Sequence, residues 1–374
     1  MRKSIVWSEG SVMMTTNSVR KDWIDFARAF GIFCIAYGHL VQGESYVSLY
    51  FGSFRVAIFF LIMGLTFSLD SRFISFLKKK AKRLLVPYFV FALLSILVLY
   101  SVAFIVPALS EYKSTSVVLY LWGAIYGNGL TGNMKWNLPL WFLPCSFITL
   151  LFVFGFEKLI STIKANKFFL RILYVLISAI ITFLYVYFIR SIKLPFGTEV
   201  AIPMSGFVEL GILMSKIDGF KCKYIYALIS IPLIILGCFL GLNNGVVSVT
   251  SLLFGVNFVV YYISAISTIV GFICLFIWLC SVDVIFPVRK AVCYSGKHTL
   301  AILCMHKFPI VLFQQVIPYT RTLFRAEARS MQKDLLGLLV TIIVILLCLI
   351  VELPINRFIP FVFGSSNAKG RAKK

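Results

Sequence analysis

The chain contains about ten runs of roughly 20 predominantly apolar residues, separated by short polar segments. A run of that length, wound as an α-helix rising about 1.5 Å per residue, crosses the ~30 Å hydrocarbon core of a bilayer. The runs are continuous rather than alternating, which argues against a β-barrel. Charged residues make up only 13% of the chain, about half the share in soluble domains. The sequence therefore predicts an all-α polytopic membrane protein with about ten transmembrane helices.

One membrane domain, residues 21–355, accounts for most of the chain, with a polar tail at 1–20 and a basic tail at 356–374. The longest loop predicted on the external side lies near 107–137. We predict the spans at 23–43, 52–70, 84–106, 138–156, 171–189, 201–215, 224–241, 257–280, 293–317 and 334–353.

The formal net charge is +22, from 36 Lys and Arg against 14 Asp and Glu. Most of the basic residues fall in the tails and loops of one side, a distribution that places that side, with both termini, in the cytoplasm. The excess is therefore interpreted as a topology signal and not as nucleic-acid binding. The last external loop departs from the trend with Arg321, Arg325, Arg329 and Lys333. It is interpreted as a contact for an anionic acceptor or for lipid headgroups.

The nine cysteines are scattered, and none forms a CxxC pair. Most lie inside apolar runs, where a free cysteine behaves as a small hydrophobic residue. We predict no structural disulfide and no zinc or other metal site.

The first apolar run carries ionisable residues, which are expensive at membrane depth unless they are paired or line a wet cavity. Arg28 and His39 are 11 residues apart, so both lie on one helix face, separated by roughly 16 Å along the axis. Asp25 lies one turn before Arg28 and can pair with it. One interpretation is an interfacial anchor and a helix cap. The other is a polar face that binds an anion at one end and transfers a proton at the other.

Four further polar or aromatic residues lie near or within the spans, and each has two interpretations. Glu44 either orients His39 or marks the interface. Glu209 pairs with Arg28 or another base, as a structural ion pair or in a site. His306 binds the acceptor or bonds a backbone carbonyl. Trp141 belongs to an interfacial aromatic belt or stacks on a sugar.

A basic cluster, "KKKAKR" at 78–83, belongs to the loop predicted at 72–83, just before the third run. It stops translocation, provides counter-ions for an anionic ligand, or does both.

The spacing from Arg28 to His39, together with the order of several other segments, resembles that of the bacterial membrane acyltransferases called acyltransferase family 3. Met63 stands where that family usually has a serine. The matching segments are "FFLIMGLTFSL" (59–69), "KKKAKRLLVPYFVF" (78–91), "LPLWFLPCSF" (138–147), "ELGILMSK" (209–216) and "YSGKHTLAILCMHKFP" (294–309).

The resemblance implies transfer of an acyl group, usually acetyl from cytoplasmic acetyl-CoA, to a hydroxyl of an envelope glycan. The partners expected are acyl-CoA, a lipid-linked oligosaccharide or glycan such as O-antigen, and the lipids of the bacterial inner membrane. His39 is expected to be the catalytic base, because imidazole exchanges protons near neutral pH. Arg28, Lys82 and Arg83 are expected to bind acyl-CoA. Direct transfer and an acyl-histidine intermediate both remain open.

A transporter or flippase for a lipid-linked sugar is the alternative. Many spans, broken helices and intramembrane charges are also found in transporters. Such folds often contain internal repeats, and none is visible in this sequence. Acetyl transfer by the purified protein distinguishes the two classes.

The charge distribution predicts an orientation that reporter fusions can test. Fusions at residues 80 and 374 should report the cytoplasm, and one near residue 113 should report the periplasm. A periplasmic signal at residue 80 would reverse the topology and move the acyl-CoA side with it.

Overall fold

The computed structural model describes residues 21–42, 44–69, 72–106, 110, 113–189, 192–217, 219, 222–282 and 286–364. The tail predicted at 1–20 and residues 365–374 of the C-terminal tail lie outside these ranges. The helices are α1 Asp22–Leu40, α2 Tyr46–Gly52, α3 Ala57–Leu65, α4 Phe73–Ile105, α5 Val117–Tyr126, α6 Phe142–Thr162, α7 Lys167–Phe188, α8 Thr198–Ser215, α9 Lys223–Asn243, α10 Phe258–Leu279, α11 Phe286–Lys297, α12 Thr299–Met305, α13 Lys307–Val316, α14 Pro318–Arg325 and α15 Met331–Phe358. One antiparallel pair, β1 Val247–Ser248 and β2 Leu253–Phe254, is the only sheet among the described residues.

Seven helical segments of the described chain are long and apolar enough to cross a membrane, or up to nine if each bent pair is one span. The bent pairs are α2 with α3, and α12 with α13. Helix α1 has 19 residues and sufficient length, but its polar residues keep it out of this set. The all-α polytopic fold is confirmed, whereas ten spans and the orientation remain predictions.

Two loop assignments of the sequence prediction are wrong, and one predicted span is divided. The basic cluster at 78–83 is not a loop, because α4 begins at Phe73 and carries these residues in its first turns. Lys, Arg and Leu are good helix formers, so nothing in this segment opposes an extension of the helix. The region 107–137 is also not all loop, since it contains the short apolar helix α5. The span predicted at 293–317 is divided into α11, α12 and α13.

Irregular backbone gathers around the C-terminal end of α1. The α2–α3 pair bends by 40° and the α12–α13 pair by 47°. A 3₁₀ segment at Lys135–Trp141 contains Asn137 with an extended backbone, φ −160° and ψ 73°. At membrane depth, non-helical backbone is tolerated only where it is buried in protein or lines a cavity. The breaks therefore indicate the region of a site.

Helix α1 lies at the centre of the fold, in contact with α2, α3, α10, α11, α12, α13 and α15. Its small residues allow neighbours to approach closely. Ala27 and Ala36 are fully buried, and a methyl group built on Gly31 would lie 2.8 Å from the Phe59 ring. On this helix Asp25 is fully buried, and Arg28 and His39 are half-buried.

Helices α3 and α8 are in backbone contact through two glycines. A methyl group on Gly64 would lie 1.9 Å from the Val208 carbonyl oxygen, and one on Gly211 would lie 2.1 Å from that of Leu61. Small residues allow this kind of packing between membrane helices. The contact fixes α3, and with it the bend at the end of α2.

We predict that Gly211→Ala destabilises the protein by about 1–3 kcal/mol, since the added methyl group overpacks a backbone contact. Gly155→Ala is the matched control, because nothing lies within 4 Å of that position in α6. It should leave stability unchanged or raise it, since alanine favours the helix. Thermal unfolding in detergent measures both. Equal unfolding temperatures for the two variants would contradict the backbone contact.

Candidate functional site

A cavity of about 320 Å³ opens beside the N-terminal half of α1. Four cationic side chains line it, from Arg28, Lys80, Arg83 and Lys297. Among the described residues no carboxylate lines it. Most of the remaining wall is apolar. We refer to this space as the cationic cavity, because its charge suits a polyanionic ligand.

The structure assigns the basic cluster differently from the sequence prediction. Lys82 does not line the cationic cavity, whereas Lys80 and Arg83 do. Helical geometry gives the reason: residues 80, 83 and 84 share one face of α4, and residue 82 lies on another. Arg28 forms the ion pair with Asp25 that its spacing predicts, at 3.2 Å. Asp25 is fully buried.

A second, smaller cavity of about 50 Å³ lies beside the C-terminal half of α1. We refer to it as the histidine cavity, because His39 is in its wall. Polar groups from distant parts of the chain complete it, including Arg55 from the α2–α3 bend, Ser248 from β1 and Thr250 from the β1–β2 connection. Trp141 also lines it.

His39 faces a second histidine. The ring centroids of His39 and His306 are 5.3 Å apart. His306 is fully buried at the break between α12 and α13. Its Nδ1 lies 2.9 Å from the carbonyl oxygen of Ile302, and its Nε2 has no hydrogen-bond partner. If Nδ1 carries the proton, it donates to that carbonyl and leaves Nε2 as an unused acceptor.

Three apolar residues line both cavities: Ile35, Phe142 and Leu303. They come from α1, α6 and α12, and we refer to them as the apolar layer. The two cavities therefore meet back to back, with the layer between them. Arg28 and His39, on α1, mark the two ends of this arrangement.

Arg55 is the residue that the sequence analysis missed. Its Nη1 is buried and has no hydrogen-bond partner. A methyl group built on Gly38 would lie 1.3 Å from this nitrogen, so the guanidinium occupies space next to His39 that only glycine leaves open. An arginine inside the second apolar run was the available signal.

Two of the four basic residues in the predicted last external loop, Arg329 and Lys333, form structural contacts. Glu44 pairs with Arg329 at 3.1 Å, and no described contact joins it to His39. Lys333 is fully buried and donates to the carbonyl oxygens of Glu44 and Ala326. These bonds connect the start of α15 to the segment that follows His39.

The belt interpretation of Trp141 is wrong, because its side chain is buried. Trp141 is 5% exposed and Trp136 is 1% exposed, so neither faces lipid headgroups. Trp136 donates from its indole to the Asn133 carbonyl, while Trp141 faces the histidine cavity.

Glu209 does not contact Arg28. It lies 3.7 Å from Arg171, which is held by Glu157 in two hydrogen bonds of 2.6 and 2.8 Å. This cluster joins α6, α7 and α8 away from both cavities, and it is an ion-pair network within the fold. His298 pairs with Glu352 at 2.6 Å, next to the cationic cavity residue Lys297.

A family model described as an acyltransferase domain matches residues 21–357. The chain belongs to acyltransferase family 3. The match covers the helices that form both cavities. No curated protein and no solved structure shows significant similarity to the chain. The protein is therefore a membrane acyltransferase.

The geometry of α4 predicts which lysine binds a polyanionic donor. Lys80→Ala should weaken the binding of coenzyme A several-fold, since it removes one cation from the cavity wall. Lys82→Ala, two residues along the same helix, should bind coenzyme A like the unmodified protein. Calorimetric titration in detergent measures both dissociation constants. A weaker Lys82→Ala variant beside an unaffected Lys80→Ala variant would reverse the assignment.

Proposed function

We propose that the protein is an O-acetyltransferase that transfers acetyl from acetyl-CoA to a sugar hydroxyl of a lipid-linked or surface polysaccharide, such as O-antigen. The observation that carries the proposal is the pair of back-to-back cavities along α1. One is cationic, the other contains His39, and one apolar layer separates them. Acetyl-CoA has a matching form, with a polyanionic head at one end of a thin arm and the thioester at the other.

The donor is proposed to enter the cationic cavity from the cytoplasm. Arg28, Lys80, Arg83 and Lys297 would bind its phosphates, and arginine offers them paired donors in one plane. The pantetheine arm would pass between the side chains of the apolar layer. Arg28 and His39 are roughly 16 Å apart along the helix, a distance that an extended arm can bridge.

His39 is proposed to be the general base. It accepts the proton of the sugar hydroxyl while the hydroxyl oxygen attacks the thioester carbonyl carbon. The carbon–sulfur bond then breaks, and the proton passes from His39 to the departing thiolate. The products are the acetylated sugar and coenzyme A. His306, whose ring contacts that of His39, supports the base in position.

The acceptor is proposed to bind outside the histidine cavity and to present one hydroxyl to it. At about 50 Å³, the cavity holds roughly four water-sized groups, which is too few for a sugar ring. The acceptor would therefore approach from the external side of α1, where Trp141 offers an aromatic wall.

The proposed base can be tested by mutation. His39→Ala should lower glycan acetylation by ~10²–10⁴-fold, because it removes general base catalysis. His39→Gln should fail as well, since glutamine forms hydrogen bonds but does not exchange the proton. The measurement is acetylated glycan per cell, by mass spectrometry, at matched protein level.

Purified protein with acetyl-CoA and extracted glycan lipid provides the direct assay. Transfer by the unmodified protein supports the enzyme, and its absence with retained glycan movement across vesicles would favour a flippase. Near-normal acetylation by His39→Ala would exclude His39 as the base and make His306 the next candidate.

A further inference from the structure

We propose that Arg55 is a second catalytic group, which donates a hydrogen bond from Nη1 to the thioester carbonyl oxygen as negative charge develops on it. The proposal rests on the proposed acetyl transfer. It adds an electrophilic group to a site in which the sequence indicated only a base.

The first argument is the unused hydrogen-bonding capacity of Arg55. A buried donor without a partner is destabilising, and for a charged group the penalty is larger. Nη1 has no hydrogen-bond partner, and no carboxylate of the described chain forms an ion pair with Arg55. By contrast Arg171, an arginine buried in the helix bundle, is held by Glu157. The Nη1 donor of Arg55 is therefore available for a hydrogen bond to a bound ligand.

The second argument is how firmly Arg55 is placed. Its backbone N–H donates to the Phe51 carbonyl at 2.8 Å, so the bend between α2 and α3 keeps a defined geometry. The neighbouring Phe54 is 1% exposed and anchors the bend in the core. Gly38 admits the guanidinium against α1, one residue before His39. A donor fixed before reaction needs little reorganisation as charge develops.

The third argument is the size and position of the space that Arg55 lines. His39 and Arg55 are both in the wall of the histidine cavity. The cavity, about 50 Å³, holds roughly four water-sized groups, about as many as the non-hydrogen atoms of an acetyl group and its sulfur. An acetyl group that enters through the apolar layer therefore reaches the base and the guanidinium together.

The chemistry balances without a further reactant. The hydroxyl oxygen bonds to the carbonyl carbon, its proton moves to His39, and the carbonyl π electrons move onto oxygen. Nη1–H of Arg55 donates to this oxyanion. The carbonyl then re-forms, the carbon–sulfur bond breaks, and the thiolate takes the proton from His39. Arg55 keeps its proton throughout, as the always-charged guanidinium can.

An acidic acceptor sugar is the competing ligand for Arg55. A carboxylate would also satisfy the guanidinium, but it must arrive on a sugar ring that the histidine cavity does not hold. The two possibilities separate kinetically. Loss of a group that acts on the transition state lowers kcat, whereas loss of an acceptor contact raises the KM for acceptor.

The first experiment compares Arg55→Gln and Arg55→Lys with the unmodified enzyme, and uses Arg357→Gln as the control. Arg357 is an exposed arginine at the end of α15 that stacks on Phe358. Arg55→Gln should lower kcat by ~10²–10³-fold, with the KM values for acetyl-CoA and acceptor nearly unchanged. Arg55→Lys should also lose activity, because lysine lacks the planar fork. Added guanidinium ion should restore part of the rate to Arg55→Ala.

The second experiment does not depend on turnover. The carbonyl stretching frequency of ¹³C-acetyl-CoA bound to the His39→Ala variant should be lower than its value in water. In the double variant His39→Ala, Arg55→Gln, the frequency should return toward the value in water. An unshifted frequency would overturn the proposal, as would a kcat of Arg55→Gln close to that of the unmodified enzyme. A rise confined to the KM for acceptor would replace it by recognition of an acidic sugar. If the unmodified protein transfers no acetyl group at all, the proposed function fails instead.

Discussion

The cost of placing charged groups at membrane depth governs this structure. Helix α1 carries Asp25, Arg28 and His39, and a charge exposed to hydrocarbon is strongly unfavourable. The fold responds by surrounding α1 with other helices, by pairing Arg28 with Asp25 and by giving each end of the helix a cavity. Helices α7 and α9, which are more apolar than α1, lie at the periphery. In each of them only 17% of the most apolar 18-residue segment is buried.

The breaks in the helices serve the same polar face. Arg55 comes from the bend between α2 and α3, His306 from the break between α12 and α13, and Trp141 from the end of a 3₁₀ segment. Straight helices would direct side chains toward lipid or toward a packed core. Bends allow several helices to present polar groups to one small space, and the surrounding protein satisfies the backbone groups that each bend releases.

The sequence predicted the fold class because apolar runs of span length depend only on local composition. It also predicted the Asp25–Arg28 pair, whose geometry is set by helical spacing alone. It did not predict that Lys80 and not Lys82 lines the cationic cavity. The segment was predicted to be a loop, and only in a helix does the residue spacing decide which side chains share a face. Arg55 was missed for a different reason. Its role depends on Gly38 and on a cavity whose lining extends to Leu303, about 250 positions further along the chain.

The apolar layer has a further consequence for the cell. Moving one elementary charge across a membrane potential of 100 mV changes its free energy by about 2.3 kcal/mol. A continuous water-filled path through the protein would dissipate an ion gradient stored across that membrane. Ile35, Phe142 and Leu303 lie between the two cavities and present no polar atom of their side chains to a passing proton. The layer therefore opposes ion leakage between the two cavities. In the proposed reaction an uncharged acyl arm would pass where hydrated ions are excluded.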